Sequence, residues 1–116
     1  MRDNRVAKSR YAVVAALLAC CFTSAQAFAG DEPDLDMGKT LFTQAASPPC
    51  AVCHTLADAG ATGKIGPNLD VLQPDTDRVY AAMKGGLGVM PAYKDSLNEQ
   101  QLQAIATYVA EASGGG

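Results

Sequence analysis

Residues 50–54 form the chain's most specific chemical pattern, Cys50-Ala51-Val52-Cys53-His54. Two thiols three positions apart on one helical turn can each add to a vinyl group of a haem, and this C-x-x-C-H spacing is the attachment signature of c-type haem. His54 lies four positions after Cys50, so its imidazole nitrogen can lie under the iron as the proximal ligand. The motif therefore predicts one haem c, attached through Cys50 and Cys53.

The other axial ligand is restricted because His54 is the chain's only histidine. Ligation by two histidines is impossible within one chain, which leaves a methionine, another weak donor or an open site. Met37 precedes the motif, and Met83 lies within a predicted helix whose packing fixes its direction. Met90 follows several glycines and precedes a proline, so this loop can approach the macrocycle closely and hold the thioether in place. We expect Met90 to be the distal ligand.

Two other chemistries of the cysteine pair remain open. A redox-active dithiol has the same spacing, but it normally lies at a strand-to-helix junction of a βαβ unit, and no strand is apparent here. Structural zinc requires four Cys or His ligands, whereas Cys50, Cys53 and His54 are the three that remain after the N-terminal segment. The pattern favours haem attachment over both.

Residues 1–27 have the composition of a secretory signal peptide, which predicts a periplasmic protein. Four basic residues open the segment, an apolar run too short to span a bilayer comfortably follows over residues 11–22, and small residues come next. Cleavage after Ala27 or after Ala29 fits the small-x-small pattern, and we expect Ala27. The alternative is a lipoprotein box that ends at Cys20 and would make it a lipidated N-terminus.

The expected mature domain, residues 28–116, is acidic. It contains five basic and eleven acidic residues, a formal charge of −6. This balance, without a basic stripe, argues against nucleic acid or an anionic membrane surface as a partner, and a partner steered by charge would present a basic face. Solubility alone would account for the same acidity. The segment is long enough for one domain with a thin core, which a covalently held macrocycle would help to fill.

Three segments predict helices. Residues 36–46 begin with acidic side chains and repeat apolar positions at helical spacing. Residues 75–84 begin with Asp75 as the N-cap and end before a glycine. Residues 98–113 begin with a capping box at Asn98 and carry an apolar stripe.

The segments between these helices predict loops. Residues 57–73 and 85–97 are rich in glycine, proline and polar residues and show no sustained alternation of apolar and polar positions. We therefore expect an all-α domain.

Landmarks along the chain resemble those of a class I monohaem cytochrome c. In order, they are Gly38 and Phe42, the haem motif, Gly66-Pro67-Asn68-Leu69, Met90-Pro91-Ala92-Tyr93 and residues 97–109. The resemblance covers essentially the whole mature chain and implies three to five helices wrapped around one haem, with His54 and Met90 as iron ligands. It also implies that the Pro67 carbonyl accepts a hydrogen bond from the proximal imidazole. Gly38, Phe42 and Tyr108 are assigned by it to the contact between the first and last helices.

The resemblance implies a periplasmic one-electron carrier and not an enzyme, because an iron with both axial positions filled changes oxidation state without binding oxygen or substrate. A dehydrogenase would donate the electron, and a terminal oxidase or another cytochrome would accept it. Residues 55–60, 74–75 and 112–114 resemble the haem subunit of a periplasmic sulfite dehydrogenase, whose partner would be a molybdenum-containing subunit. A haem-based sensor or enzyme with a labile distal methionine and a haem-free dithiol oxidoreductase are the alternative functions.

Overall fold

The structure, a computed structural model, describes residues 32–116. The predicted signal peptide, its cleavage site, the domain boundary at residue 28 and the lipoprotein alternative at Cys20 lie outside the described residues. In chain order the elements are α1 (Leu35–Thr40), a π-helix (Leu41–Ala45), a 3-10 turn (Cys50–Val52), β1 (Thr55–Leu56), a second 3-10 turn (Ala57–Ala59), β2 (Ala61–Thr62), α2 (Leu69–Leu72), α3 (Thr76–Gly85) and α4 (Glu99–Ser113). Within residues 32–116, no helix is long and apolar enough to cross a membrane.

Each α-helix begins where the sequence supplies a capping side chain. The Asp34 and Asn68 side chains accept backbone N–H groups in the first turns of α1 and α2. Asp75 caps α3 as predicted, by accepting a backbone N–H over 2.8 Å. Asn98 and Gln101 form the predicted capping box of α4, with reciprocal hydrogen bonds of 2.9 and 3.0 Å. The predicted all-α fold is confirmed in residues 32–116, with one small two-stranded sheet beside the four α-helices. The caps stabilise these helices by satisfying donors that a helix leaves unpaired.

The predicted helix over residues 36–46 is present, but its geometry changes halfway. Beyond α1 the chain widens into the π-helix, in which the Ala46 N–H donates to the Leu41 carbonyl over 3.0 Å. The Thr43 hydroxyl donates to the Lys39 carbonyl over 2.9 Å. A side chain therefore competes for a carbonyl of the kind that accepts a backbone N–H in a regular helix. The wider turn leaves both Leu41 and Phe42 buried in the core.

The prediction of loops is wrong for part of residues 57–73. β1 and β2 pair antiparallel, with Gly60 between them at a φ of +62°, and α2 follows. The Asp70 carboxylate of α2 accepts the Ala57 N–H over 2.9 Å and ties the hairpin to this short helix. Strands of two residues are too short to show alternation, and a helix of four residues is too short to show a period, so neither left a pattern in the sequence.

The contact between α1 and α4 depends on the absence of a side chain at Gly38. A Cβ atom there would lie 2.3 Å from the Ala104 carbonyl oxygen and 2.7 Å from the Tyr108 Cβ atom. Beside it, the Phe42 and Tyr108 rings meet edge to face, with their centroids 6.0 Å apart. The close approach of the two helices, implied by the resemblance, is thus present.

Asp58 joins the hairpin to this helix pair. Its Oδ2 atom accepts the Tyr108 hydroxyl over 2.6 Å and lies 3.1 Å from the Lys39 ammonium. The Tyr108 hydrogen bond, and after it the Lys39 ammonium, lowers the pKa of Asp58. The hairpin that follows the haem motif is therefore anchored on α1 and α4 by a charge-assisted network.

α4 also supplies the predicted apolar stripe of the core. Leu102, Ile105, Ala106 and Val109 are each at most 2% exposed. α3 packs against α4 as well, so α4 is the central helix and α1 and α3 both lie on it.

Replacing Gly38 by alanine tests the α1–α4 contact. The added methyl group would meet a backbone carbonyl that cannot move without displacing α4, and overpacking of this kind destabilises a fold by about 1–3 kcal/mol. Thermal unfolding of the full protein measures the loss. Gly85→Ala is the matched control because nothing lies within 4 Å of the added methyl group there. Equal unfolding temperatures for the two variants would contradict the proposed packing.

Candidate functional site

A cavity of about 320 Å³ lies among the haem motif, the segment after β2, α3, the loop that follows α3, and α4. Most of its lining is apolar. Five lining residues carry polar or reactive groups, namely Cys50, Cys53, His54, Arg78 and Tyr93. An apolar cavity with few polar groups is the usual form of a cofactor site.

The structure brings all five predicted site residues to this cavity. Cys50, Cys53, His54, Pro67 and Met90 each contribute to its lining, although they are spread over 41 sequence positions. The haem motif, the Pro67 segment and the Met90 loop therefore meet around one space.

The haem motif is held in a tight turn that starts at Cys50. The Cys53 and His54 N–H groups both donate to the Cys50 carbonyl, over 3.0 and 2.9 Å. Within the described residues neither thiol takes part in a disulfide, and Cys50 is buried. Burial raises the pKa of the Cys50 thiol to about 11, so in the unreacted chain this group is a neutral thiol against the cavity.

The imidazole of His54 has a defined tautomer. Its Nδ1 atom lies 2.8 Å from the Pro67 carbonyl oxygen. A carbonyl can only accept a hydrogen bond, so Nδ1 carries a proton, and in the neutral imidazole Nε2 then keeps its lone pair. This is the arrangement in which an imidazole acts as a metal ligand while its other nitrogen is fixed by a second group.

Gly63 and Gly66 leave room for the haem motif to pack closely, a role that the sequence alone did not indicate for either glycine. A Cβ atom at Gly66 would lie 2.5 Å from the His54 Cε1 atom, and one at Gly63 would lie 2.6 Å from the Cys53 carbonyl carbon. The Gly66 N–H donates to the Cys53 carbonyl over 2.8 Å, which completes the contact. In the sequence, the signal for this role was the position of Gly66 directly before Pro67. It places a residue without a side chain beside the carbonyl that accepts the His54 hydrogen bond.

The Met90 loop is a tight backbone turn. Leu87 and Met90 exchange two backbone hydrogen bonds of 3.1 and 3.0 Å. Gly86 and Gly88 have φ angles of +72° and +58°, which only glycine adopts readily. The predicted use of glycines to bring the loop close to the cavity is therefore visible in the backbone, and Met90 lies half-buried on the cavity wall.

Two further side chains, Met83 and Tyr93, form part of the cavity wall. Met83 on α3 also lines the cavity and is 1% exposed, so two thioethers reach this space, whereas Met37 is not among the lining residues. Tyr93 is buried, and its hydroxyl donates to the Pro48 carbonyl over 2.7 Å. Burial raises the pKa of Tyr93 to about 12, which makes it a neutral wall residue.

Comparison with known proteins decides the family. Residues 33–109 match the family described as Cytochrome C oxidase, cbb3-type, subunit III. The chain belongs to this cytochrome c family. The structure is also similar to that of the c-type cytochrome SorU from Sinorhizobium meliloti, with a TM-score of 0.66 and 46% sequence identity over 69% of this chain and 91% of SorU. No curated protein sequence matches.

Membership confirms the resemblance to a class I monohaem cytochrome c and the cofactor, haem c. The residues around the cavity fit this group. They supply two thiols free of a disulfide, an imidazole whose Nε2 atom keeps its lone pair, and an apolar wall. This cytochrome c is an electron-transport protein that binds haem and iron.

Gly66→Ala tests whether the imidazole depends on this close packing. The added methyl group would displace the His54 ring and lengthen its hydrogen bond to the Pro67 carbonyl. We expect the free energy of unfolding to fall by about 1–3 kcal/mol. We expect the exchange-protected Nδ1 proton of His54 to disappear from the NMR spectrum of the variant. Gly85→Ala again provides the comparison, and a protected Nδ1 proton in both variants would rule out the role given to Gly66.

Proposed function

We propose that this cytochrome c carries one electron at a time through a single haem, attached by thioether bonds at Cys50 and Cys53 and ligated by His54 and Met90. The observation that supports this most strongly is the hydrogen bond from His54 Nδ1 to the Pro67 carbonyl, 2.8 Å long. It leaves Nε2 as the only ring nitrogen able to donate a lone pair, on a ring that lines the same cavity as both cysteines.

Each group of residues has a separate part in the proposed mechanism. When bound, the haem supplies an iron that gains and loses one electron. His54 and Met90 would hold the iron, and with both as ligands it would have no free position for oxygen or a substrate. The apolar wall excludes water and disfavours the additional positive charge of the oxidised state, so together with the thioether it favours a comparatively high reduction potential.

Met90 is preferred over Met83 as the distal ligand for two reasons. Its loop is built around glycines that allow close approach of the backbone, whereas the helix α3 sets the direction of the Met83 side chain. The Met90-Pro91 pair also corresponds to the family's landmark. Met83 then serves as part of the apolar wall.

We further propose that residues 1–27 direct export to the periplasm and that the mature chain begins at residue 28. The basic start, the short apolar run and the small residues before residue 28 support this. That compartment is oxidising and favours disulfides, but two cysteines attached to haem would not be available to form one.

For the electron donor, we propose a molybdenum-containing sulfite dehydrogenase, which this chain serves as haem subunit or diffusing acceptor. The segments over residues 55–60, 74–75 and 112–114 carry that resemblance, and the 46% identity to the c-type cytochrome SorU supports a place among its close relatives. A terminal oxidase or another cytochrome would then take up the electron.

Met90→Ala tests the axial ligation. Without the thioether the iron loses the ligand that stabilises its reduced state, so we expect a lower midpoint potential and rapid binding of carbon monoxide to the ferrous protein. Optical titration of the purified protein measures both. Met83→Leu is the matched control because it removes the other thioether while conserving volume, and it is expected to leave the spectrum unchanged. A changed spectrum in Met83→Leu with an unchanged one in Met90→Ala would reverse the assignment.

Stopped-flow reduction tests the donor. We expect oxidised protein to be reduced by a sulfite dehydrogenase only when sulfite is present. A basic face on the dehydrogenase would attract the acidic mature chain, so we expect the rate to fall as ionic strength rises. Reduction no faster than that by an unrelated periplasmic dehydrogenase would exclude the sulfite pathway and leave the electron-carrier function intact.

A further inference from the structure

Tyr93 is the one buried residue in the segment that carries the proposed distal ligand. All other residues between positions 84 and 96, from the end of α3 through the Met90 loop, are exposed or half-buried. Tyr93 is 4% exposed and lies three positions after Met90. A segment with so few buried contacts opens easily unless something anchors it, and Tyr93 is the residue placed to do so.

The backbone of Tyr93 joins the two ends of this segment. Its N–H donates to the Met83 carbonyl near the end of α3 over 2.7 Å. Its carbonyl accepts the Ser96 and Leu97 N–H groups over 3.0 and 2.9 Å, in the turn that leads to α4. The main chain of Tyr93 therefore fixes the point at which the loop returns to the core.

The side chain of Tyr93 connects the same loop to the segment that leads into the haem motif. Its hydroxyl donates to the Pro48 carbonyl over 2.7 Å, although the two residues are 45 positions apart. Pro48 lies two positions before Cys50, and both residues line the cavity together with Tyr93. Within residues 32–116, no other hydrogen bond connects residues 85–96 with residues 46–54. This one bond therefore links the two parts of the wall that carry the cysteines and Met90.

Packing alone does not require a hydroxyl at this position. A phenylalanine would supply the same apolar ring, whereas a buried phenol costs stability unless it finds a hydrogen-bond partner. Because burial raises the pKa of Tyr93 to about 12, its hydroxyl remains a donor at neutral pH. The hydroxyl thus adds a directional contact that a ring by itself would lack.

We propose that Tyr93 is a positioning residue for Met90, which sets the spacing between the Met90 loop and the haem motif; this rests on the proposed function. A thioether is a weak ligand, so a loop that is free to move away leaves the distal position open for part of the time. The Tyr93 hydroxyl restricts this movement through the Pro48 carbonyl and is not itself an iron ligand. A net hydrogen bond of this kind changes an equilibrium constant by about two- to ten-fold.

The test compares carbon monoxide binding to the ferrous forms of the purified haem-containing wild type, Tyr93→Phe and Tyr80→Phe. Tyr93→Phe keeps the buried ring and removes only the hydroxyl. Tyr80→Phe is the matched control because the Tyr80 hydroxyl links Lys84 of α3 to Glu99 of α4, yet Tyr80 does not line the cavity. We expect Tyr93→Phe to bind carbon monoxide about two- to ten-fold faster than wild type, and Tyr80→Phe to bind it at the wild-type rate.

The midpoint potential gives a second measurement on the same variants. A thioether favours the reduced iron, so its bond to the oxidised iron is the weaker one and opens first when the loop loosens. We therefore expect a lower potential in Tyr93→Phe than in wild type or Tyr80→Phe. A loss of unfolding free energy in Tyr93→Phe with the wild-type potential and binding rate would show a merely structural role and overturn the proposal.

Met90→Ala separates the two proposals because it removes the ligand itself. If Met90→Ala binds carbon monoxide rapidly while Tyr93→Phe and Tyr80→Phe both bind it at the wild-type rate, the role of Tyr93 is overturned and the axial ligation stands. If Met90→Ala binds it no faster than wild type, Met90 is not the distal ligand. The proposed ligation then fails, and the inference on Tyr93 fails with it.

Discussion

The hydrogen bond between His54 and the Pro67 carbonyl is the constraint around which the rest of the site is arranged. It sets the tautomer of the chain's only histidine and connects the haem motif to a segment thirteen residues away. Its geometry is possible because Gly63 and Gly66 have no side chains to push the motif aside. The hairpin β1–β2, the cap of α2 and the Asp58 network then hold this segment against α1 and α4. Much of the irregular structure between residues 50 and 72 therefore serves to keep one imidazole in one orientation.

The features that could be predicted from the sequence were those with a local cause. The capping side chains Asp75 and Asn98 fix where α3 and α4 begin, and the C-x-x-C-H spacing identifies the cofactor. Gly38 could be placed at a helix contact only through the family resemblance. The π-helix, the two-residue strands and the packing of Gly66 on His54 could not be predicted, because each depends on residues distant in sequence and leaves no period in the chain. For the same reason, the sequence did not indicate that Met83 and Arg78 line the cavity, because their position depends on the packing of α3 against α4.

The arrangement suits a carrier whose task is to change charge without changing shape. The core is centred on α4, in which Leu102, Ile105 and Val109 are almost fully buried, and Ile105 and Val109 also line the cavity. Such close packing resists movement when the iron gains or loses an electron. Acidic side chains outnumber basic ones in residues 28–116, which favours partners that present a basic face. Under this account, the surface determines which partner binds, and the interior determines the chemistry of the iron.

The central claim is that one imidazole and one thioether ligate the iron in both oxidation states. X-ray absorption at the iron edge of the purified, full-length protein tests this most directly, because it counts nitrogen and sulfur neighbours in the oxidised and the reduced forms. The account predicts a six-coordinate iron with a single sulfur neighbour that persists on reduction. A spectrum without sulfur, or loss of a ligand on reduction, would contradict it.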